Sequence, residues 1–181
     1  MIEVTVSRLG LDSSTNSYVV VLQERDGTRL LPIWIGQPEA ESIVMHMHNV
    51  KRSRPLTHDL VRSLIVGMGA QLKRVQITRV EKSTYYAELH VQRGTELVQI
   101  DARPSDSIAV ALRFSAPIFA AESLLVEPGE EVDDGDEESA AAEPDFGIPE
   151  ADARSDAELS AEQLKSYLEN LRPEDFGKFN P

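Results

Sequence analysis

The sequence predicts an α+β fold, a mostly antiparallel sheet packed with about three helices. Strand-like segments follow one another across turns of hairpin length, at Arg25-Asp26-Gly27-Thr28 and again at Arg93-Gly94. Separate stretches carry apolar residues at helical spacing. Because strands and helices occur in runs rather than in strict alternation, α+β is favoured over a doubly wound parallel sheet.

The strands are predicted from alternation and from β-branched residues. Ile2, Val4 and Val6 alternate with polar residues, which is typical of a half-buried strand. Pro32 lacks an N–H group, so its strand is expected at an edge or at a bulge. A bend is expected at residues 13–16. The other extended segments are predicted at Tyr18–Leu22, Leu30–Ile35, Leu72–Val80, Tyr85–Val91, Leu97–Asp101 and Pro117–Phe119.

Three segments have helical spacing. The first follows Gly36 and has Pro38 in its first turn, and the second is expected to begin with Thr57 as its cap and to stop at Gly69. The third spans about Ser105 to Ser115. The apolar faces expected to be buried are Ala40, Ile43, Val44, Met47 and Val50; then Leu60, Val61, Leu64, Ile65 and Met68; then Ile108, Ala109, Ala111 and Leu112.

Charge divides the chain into parts. Residues 1–126 contain 14 Lys and Arg against 13 Asp and Glu, whereas the remainder contains 4 against 18. Residues 127–156 are rich in Asp, Glu, Ala, Pro and Gly, which predicts an acidic disordered linker. Residues 157–181 are expected to form a short C-terminal helix followed by a tail containing Pro173-Glu-Asp-Phe176.

Composition limits the possible functions. The sequence has no cysteine, which excludes disulfides, thiolate metal sites and cysteine nucleophiles. Its longest apolar runs are far shorter than a membrane span requires, and its first residues look like a strand rather than a secretory signal. We therefore expect a cytoplasmic protein with no membrane association. Because residues 1–126 are nearly neutral, any nucleic-acid site in this domain must be a local patch of positive charge.

Two similar segments precede two of the predicted helices. Arg54-Pro-Leu-Thr-His-Asp59 and Arg103-Pro-Ser-Asp-Ser107 each place Arg-Pro, then a hydroxyl, then Asp ahead of a helix. The free N–H groups and the positive end of a helix can hold a phosphate, and a guanidinium suits two phosphate oxygens. Arg54, Arg103, Thr57 and Ser105 are therefore candidate phosphate-binding residues. The alternative is that both segments are ordinary helix starts.

Carboxylates and a histidine near these segments are candidates for catalysis. Asp101 and Asp106 could together coordinate Mg²⁺ or Mn²⁺ and so activate water at a phosphodiester. Alternatively, Arg103 pairs with Asp106 in a structural ion pair. His58 and Glu39 could assist catalysis, although a surface histidine and a helix-dipole partner are the simpler interpretations.

The sequence resembles the bifunctional nuclease domain family of bacterial and plant proteins. The segments that carry the resemblance are Leu31-Pro-Ile-Trp-Ile-Gly36 with Glu39-Ala40, Arg54–Asp59, Tyr86-Ala87, Asp101–Ala109 and Pro117-Ile118. Residues 167–176 also look like the ending of bacterial members. The resemblance implies an α+β domain, self-association as a homodimer, and nuclease activity on DNA and RNA. A non-catalytic binding or regulatory domain for an anionic ligand, nucleic acid or protein partner is the alternative.

Overall fold

The structure, a computed structural model, describes residues 1–12 and 17–128. The predicted bend at residues 13–16, nearly all of the predicted linker and the predicted C-terminal helix lie outside the described residues.

Strands and helices alternate in groups along the described chain. Three strands are followed by two helices, three more strands, a third helix and a short last strand. The bounds are β1 Ile2–Asp12, β2 Ser17–Glu24, β3 Leu30–Ile35, α1 Gln37–Met47, α2 Thr57–Gly67, β4 Ala70–Glu81, β5 Thr84–Arg93, β6 Glu96–Ala102, α3 Pro104–Phe114 and β7 Ile118–Ala120, with a 3₁₀ turn at Glu122–Leu124.

All seven strands belong to one sheet, in the order β3-β2-β1-β7-β4-β5-β6. Two antiparallel meanders, β1-β2-β3 and β4-β5-β6, form its halves, and β7 joins them by pairing antiparallel with β1 and parallel with β4. The prediction of an α+β fold with a mostly antiparallel sheet is confirmed. Pro32 lies on an edge strand, as its missing N–H group predicts.

The three helices pack on one face of this sheet. Residues of a strand alternate between faces, so Leu22, Ile77 and Ala87 point from three strands toward the helical layer and are fully buried. Ile43 from α1 and Ile108 from α3 belong to the same core. Helix α3 lies centrally, in contact with both other helices and with β4 and β5.

The expectation that α2 buries its whole apolar face is wrong. Leu60, Leu64 and Met68 are 53%, 54% and 60% exposed, whereas Ile65 is buried and Val61 packs partly against the core. The apolar residues of α2 cover a wider arc of the helix than the core can contact. Helical spacing identifies the apolar residues of α2, but it does not show which of them the core covers.

The expected side-chain caps are also absent from the two helix starts. Leu56 and Arg103 occupy the N-cap positions of α2 and α3, and neither side chain makes a capping hydrogen bond. Thr57 is instead the first residue of α2, and Ser105 is buried within the first turn of α3. Pro104, the first residue of α3, fixes the backbone angle with which the helix begins. Arg103 can therefore occupy the N-cap position although its side chain has no capping hydroxyl.

Candidate functional site

The first turns of the three helices meet around one cleft. This helix-start cleft has a volume of about 600 Å³, and Glu39 and Ser42 of α1, His58 of α2, and Arg103 and Asp106 of α3 contribute to its lining. Helix α3 is far from α1 and α2 in sequence, but the packing of both on α3 brings the three N-terminal turns together. Four residues proposed from sequence, Glu39, His58, Arg103 and Asp106, therefore lie in one place.

Arg103 connects two carboxylates across the opening of the cleft. Its Nε donates to Asp106 Oδ2 at 2.7 Å, and its Nη2 donates to Glu39 Oε1 at 2.5 Å and to Asp106 Oδ1 at 3.2 Å. The Arg103 side chain is 67% exposed. In the described part of the chain, no hydrogen bond occupies its Nη1, so part of the guanidinium can meet a ligand from solvent.

His58 lies beneath this pair and is buried. Its Nδ1 is 2.8 Å from Ser42 Oγ, and its Nε2 is 3.0 Å from Asp106 Oδ1. Arg113 Nη2 donates to Ser42 Oγ at 3.0 Å. The Ser42 hydroxyl can therefore donate to Nδ1, which leaves Nε2–H of a neutral imidazole to donate to Asp106.

These contacts determine the protonation of the carboxylate. Partial burial raises the pKa of Asp106, but the hydrogen bonds from Arg103 and His58 outweigh it and hold that pKa below its usual value of 3.8. The hydrogen bonds that Arg103 donates to Asp106 and Glu39 raise the pKa of Arg103. Asp106 is thus ionised and Arg103 is charged at neutral pH. The cleft presents an exposed cation, fixed carboxylates and a buried imidazole, which are groups that can bind a phosphate and move a proton.

Asp101 lies on the other side of the sheet. It is next to Ala102 on β6, and Ala102 pairs with Ala87, which is fully buried under the helices. Because neighbouring residues of a strand point to opposite faces, the Asp101 side chain points away from the helices. Its charge there acts on Arg79. The structure therefore does not bring Asp101 together with Asp106.

The other proposed phosphate-binding residues have different positions. Thr57 is exposed at the rim of the helix-start cleft, whereas Arg54 lines a second cavity next to it. Ser105 is only 6% exposed. Within the described residues, no group of three or more His, Asp and Glu side chains is placed to hold a metal ion.

Sequence reasoning missed Ser42 and Arg113. Both are buried, and Arg113 also donates to Asp59 Oδ1 at 2.5 Å and to the Ala109 carbonyl at 2.9 Å. A signal was present in each helix. Ser42 interrupts the apolar face of α1, and Arg113 is a single cation that follows the apolar run of α3. A polar residue on a buried face requires a partner, which the sequence could not identify.

Comparisons with known proteins identify sequence relatives of this chain. A family model described as the bifunctional nuclease domain matches residues 20–133. An uncharacterized protein of Mycobacterium tuberculosis is 39% identical over 175 residues, which cover 96% of this chain and 97% of that protein.

Plant relatives match over a shorter span. Bifunctional nuclease 1 of Arabidopsis thaliana is 32% identical over 114 residues, covering 61% of this chain and 35% of that protein. Bifunctional nuclease 2 of Oryza sativa subsp. japonica is 33% identical over 114 residues, with the same coverage. The similarity to the plant proteins is therefore confined to about a third of their length.

The helices are short. Among residues 1–12 and 17–128, none combines the length and apolar character needed to cross a bilayer. Because the family model matches residues 20–133, which is more than half of the chain, the chain belongs to the bifunctional nuclease domain family.

Proposed function

We propose that this chain is a nuclease that hydrolyses phosphodiester bonds of DNA and RNA in the helix-start cleft. The observation that carries the proposal is Arg103, an exposed cation fixed between two carboxylates above a buried histidine. This arrangement occurs in a domain whose family includes plant proteins named bifunctional nucleases. The cytoplasm is the proposed location, which suits a chain without cysteine.

The residues of the cleft have distinct roles in this proposal. Arg103 binds non-bridging oxygens of the scissile phosphate and offsets the charge that develops there. Asp106, ionised at neutral pH, accepts a proton from the attacking water, whose oxygen forms a bond to phosphorus as the bond to the leaving sugar oxygen breaks. The leaving oxygen takes a proton from solvent. His58 orients Asp106, and Glu39 positions Arg103.

A divalent cation, Mg²⁺ or Mn²⁺, is part of the proposal. Carboxylates of Glu39, Glu41 and Asp106 line the cleft. Mg²⁺ commonly binds through one or two carboxylates together with substrate phosphates and water, so the nucleic acid would complete the ligand set. When bound, the ion would offset phosphate charge and activate water. Of the two metal ligands proposed from sequence, Asp101 and Asp106, it is Asp106 that lies in the cleft.

The test compares carboxylates on the two sides of the sheet. Purified wild type, Asp106→Asn, Arg103→Ala and the control Asp101→Asn are incubated with labelled single-stranded and duplex DNA and RNA, with Mg²⁺, Mn²⁺ or chelator. We expect metal-dependent turnover by wild type and by the control. Asp106→Asn and Arg103→Ala should lose at least about 100-fold, the usual contribution of acid–base groups.

Two results would contradict parts of this assignment. Full activity of folded Asp106→Asn together with loss in Asp101→Asn would move the site to the other face of the sheet. Turnover that is unchanged by chelator would contradict the role of a metal ion but not the assignment of the active site to the helix-start cleft.

A second candidate function has its own supporting observation. Both ring nitrogens of His58 and both oxygens of Asp106 already have protein partners, as in a structural network that holds three helices together. The domain would then bind an anionic ligand or a protein without turnover. Stoichiometric binding with no product at any metal concentration would favour this alternative.

We also propose that the domain is a homodimer. Strand β6 lies at one edge of the sheet, where no strand of the described residues pairs with its outer side, and its apolar residues Leu97, Val98 and Ile100 are exposed. Val98 and Ile100 pair with the buried residues Val91 and Leu89, so they lie on the core side of the sheet but beyond the cover of the helices. A second copy of β6 would pair with this edge and extend the apolar layer.

A further inference from the structure

A second cavity adjoins the helix-start cleft. It has a volume of about 440 Å³, and Met45, Arg52 and Leu56 line both cavities. We call it the arginine cleft, because Arg52, Arg54, Arg62 and Arg113 all contribute to its lining. The shared residues form a common wall, so a chain-like ligand could pass from one cavity to the other.

The two cavities have opposite charge. Glu39, Glu41 and Asp106 outnumber the arginines of the helix-start cleft. The arginine cleft has a single carboxylate, Asp59, and this group is already paired with the buried guanidinium of Arg113. Arg52, Arg54 and Arg62 therefore remain as uncompensated positive charges around a concave surface, which is suited to an anion.

These three guanidinium groups are available for binding. Within residues 1–12 and 17–128, Arg54 makes no side-chain hydrogen bond or ion pair, and the contact of Arg52 is a weak one at 3.6 Å to the sulfur of Met45. Arg62 uses its Nε to bond the Arg113 carbonyl at 3.0 Å and lies over the ring of Phe114. These contacts hold Arg62 in place and leave its terminal nitrogens free to bind oxygen.

We propose that the arginine cleft binds the sugar–phosphate backbone of single-stranded nucleic acid, next to the phosphate held in the helix-start cleft. This inference rests on the proposed nuclease function, for which it specifies the substrate class. A positively charged groove that follows the backbone is the usual way to bind a single strand without reading its sequence. A single strand is flexible enough to bend into both cavities in turn, whereas a duplex is stiff over tens of base pairs, so we expect it to contact the rims of the cavities alone.

The test separates binding from cleavage. Fluorescence anisotropy of a labelled 12-nucleotide single strand is measured with the full chain in chelator, for wild type, Arg54→Ala, Arg62→Ala and the control Arg93→Ala, an exposed arginine at the far end of β5. We expect about tenfold weaker binding at low salt for each cleft variant, and a salt dependence reduced by about 0.7 for each lost phosphate contact. The control should match wild type.

Binding by the cleft variants and by duplex DNA decides the proposal. Equal affinity of Arg54→Ala and Arg93→Ala for the 12-nucleotide strand would overturn the proposal. Equal dependence on Arg54 for duplex DNA would overturn the choice of single strands.

Cleavage assays on the same proteins distinguish this proposal from the nuclease proposal. Arginine-dependent binding without product at any metal concentration would support the arginine cleft and contradict hydrolysis. If wild type cleaves nucleic acid but Arg54→Ala and Arg62→Ala bind the single strand as tightly as wild type does, the nuclease proposal is supported and the arginine cleft is contradicted. Thermal melting of each variant checks folding, and we expect Arg54→Ala to melt like wild type because Arg54 makes no side-chain hydrogen bond or ion pair within the described residues.

Discussion

Two arginine–aspartate pairs show how burial separates residues with the same chemistry. Arg113 and Asp59 join α3 to α2, and the Arg113 side chain is only 4% exposed. Arg103 and Asp106 make the same kind of pair at the mouth of the helix-start cleft, but Arg103 is largely exposed. A buried guanidinium without its partner is costly, whereas an exposed one can exchange partners with a ligand. We therefore assign the first pair to stability and the second to function.

At this scale we predict that Asp59→Asn destabilises the domain by roughly 1–3 kcal/mol at pH 7, because it leaves Arg113 buried without a counter-charge. Burial raises the pKa of Asp59, but the bond from Arg113 outweighs it and the folded pKa lies below 3.8. The stabilisation is thus present above about pH 4 and lost as the pH falls through the folded pKa.

Urea unfolding of wild type and Asp59→Asn at pH 7 and pH 3 measures this difference. The difference in the free energy of unfolding should be smaller at pH 3, where the Asp59 carboxyl of the unfolded chain is already mostly protonated. Glu81→Gln, which removes an exposed partner of Arg79, is the matched control and should change stability by less than about 1 kcal/mol. An Asp59→Asn effect no larger than that of the control would contradict the structural role.

At the scale of elements, the covered strands and the edge strands differ in what they leave to solvent. Strands β4 and β5 lie under the helical layer and supply much of the core. Strand β6 contains the same kinds of residue but is exposed along nearly its whole length. Among strands β1 to β7, none pairs with its outer edge, whose N–H and C=O groups lie beside exposed apolar side chains, a combination that favours pairing with another strand.

We therefore predict that Val98→Lys with Ile100→Lys converts a dimer to a monomer, because two charges at the edge oppose the apolar contact between copies. Light scattering coupled to size-exclusion chromatography gives the mass directly. Leu60→Lys on the exposed face of α2 is the matched control and should remain dimeric. A monomeric wild type, or dissociation by Leu60→Lys alone, would contradict pairing through β6.

At the scale of the whole molecule, charge is strongly segregated. The nearly neutral residues 1–126 contain both cavities, while the remaining residues carry a large excess of acid. An acidic segment attached to a domain competes with nucleic acid for cationic groups, and salt screens this effect. The arginine cleft is the surface on which such competition would act.

Deleting residues 127–156 should therefore strengthen binding of a single strand at low salt, with a smaller change at high salt. Anisotropy titrations at two ionic strengths measure both. A full-length variant with the acidic residues of this segment replaced by Asn and Gln is the control for chain length and should behave like the deletion. If binding at low salt is unchanged in both proteins, charge competition is excluded.

The candidate site was partly predictable from sequence for a local reason. Glu39, His58 and Asp106 lie in the first turn of a helix and Arg103 is an N-cap residue, and proline and apolar spacing predict where these helices begin. Their convergence on one cleft depends on how α1 and α2 pack on α3. Asp101 was included because it is close in sequence, but strand alternation turns its side chain to the other face.

The sequence by itself determined the strands and helices and the turns at Asp26-Gly27 and Arg93-Gly94, and it limited Pro32 to an edge strand or a bulge, because these features depend on alternation, spacing and turn residues within short segments. Only the tertiary structure decided that β7 joins the two halves of the sheet, that half of the apolar face of α2 stays exposed, and that Ser42 and Arg113 complete the network beneath the cleft. These features depend on contacts between residues far apart in sequence, which no local pattern records.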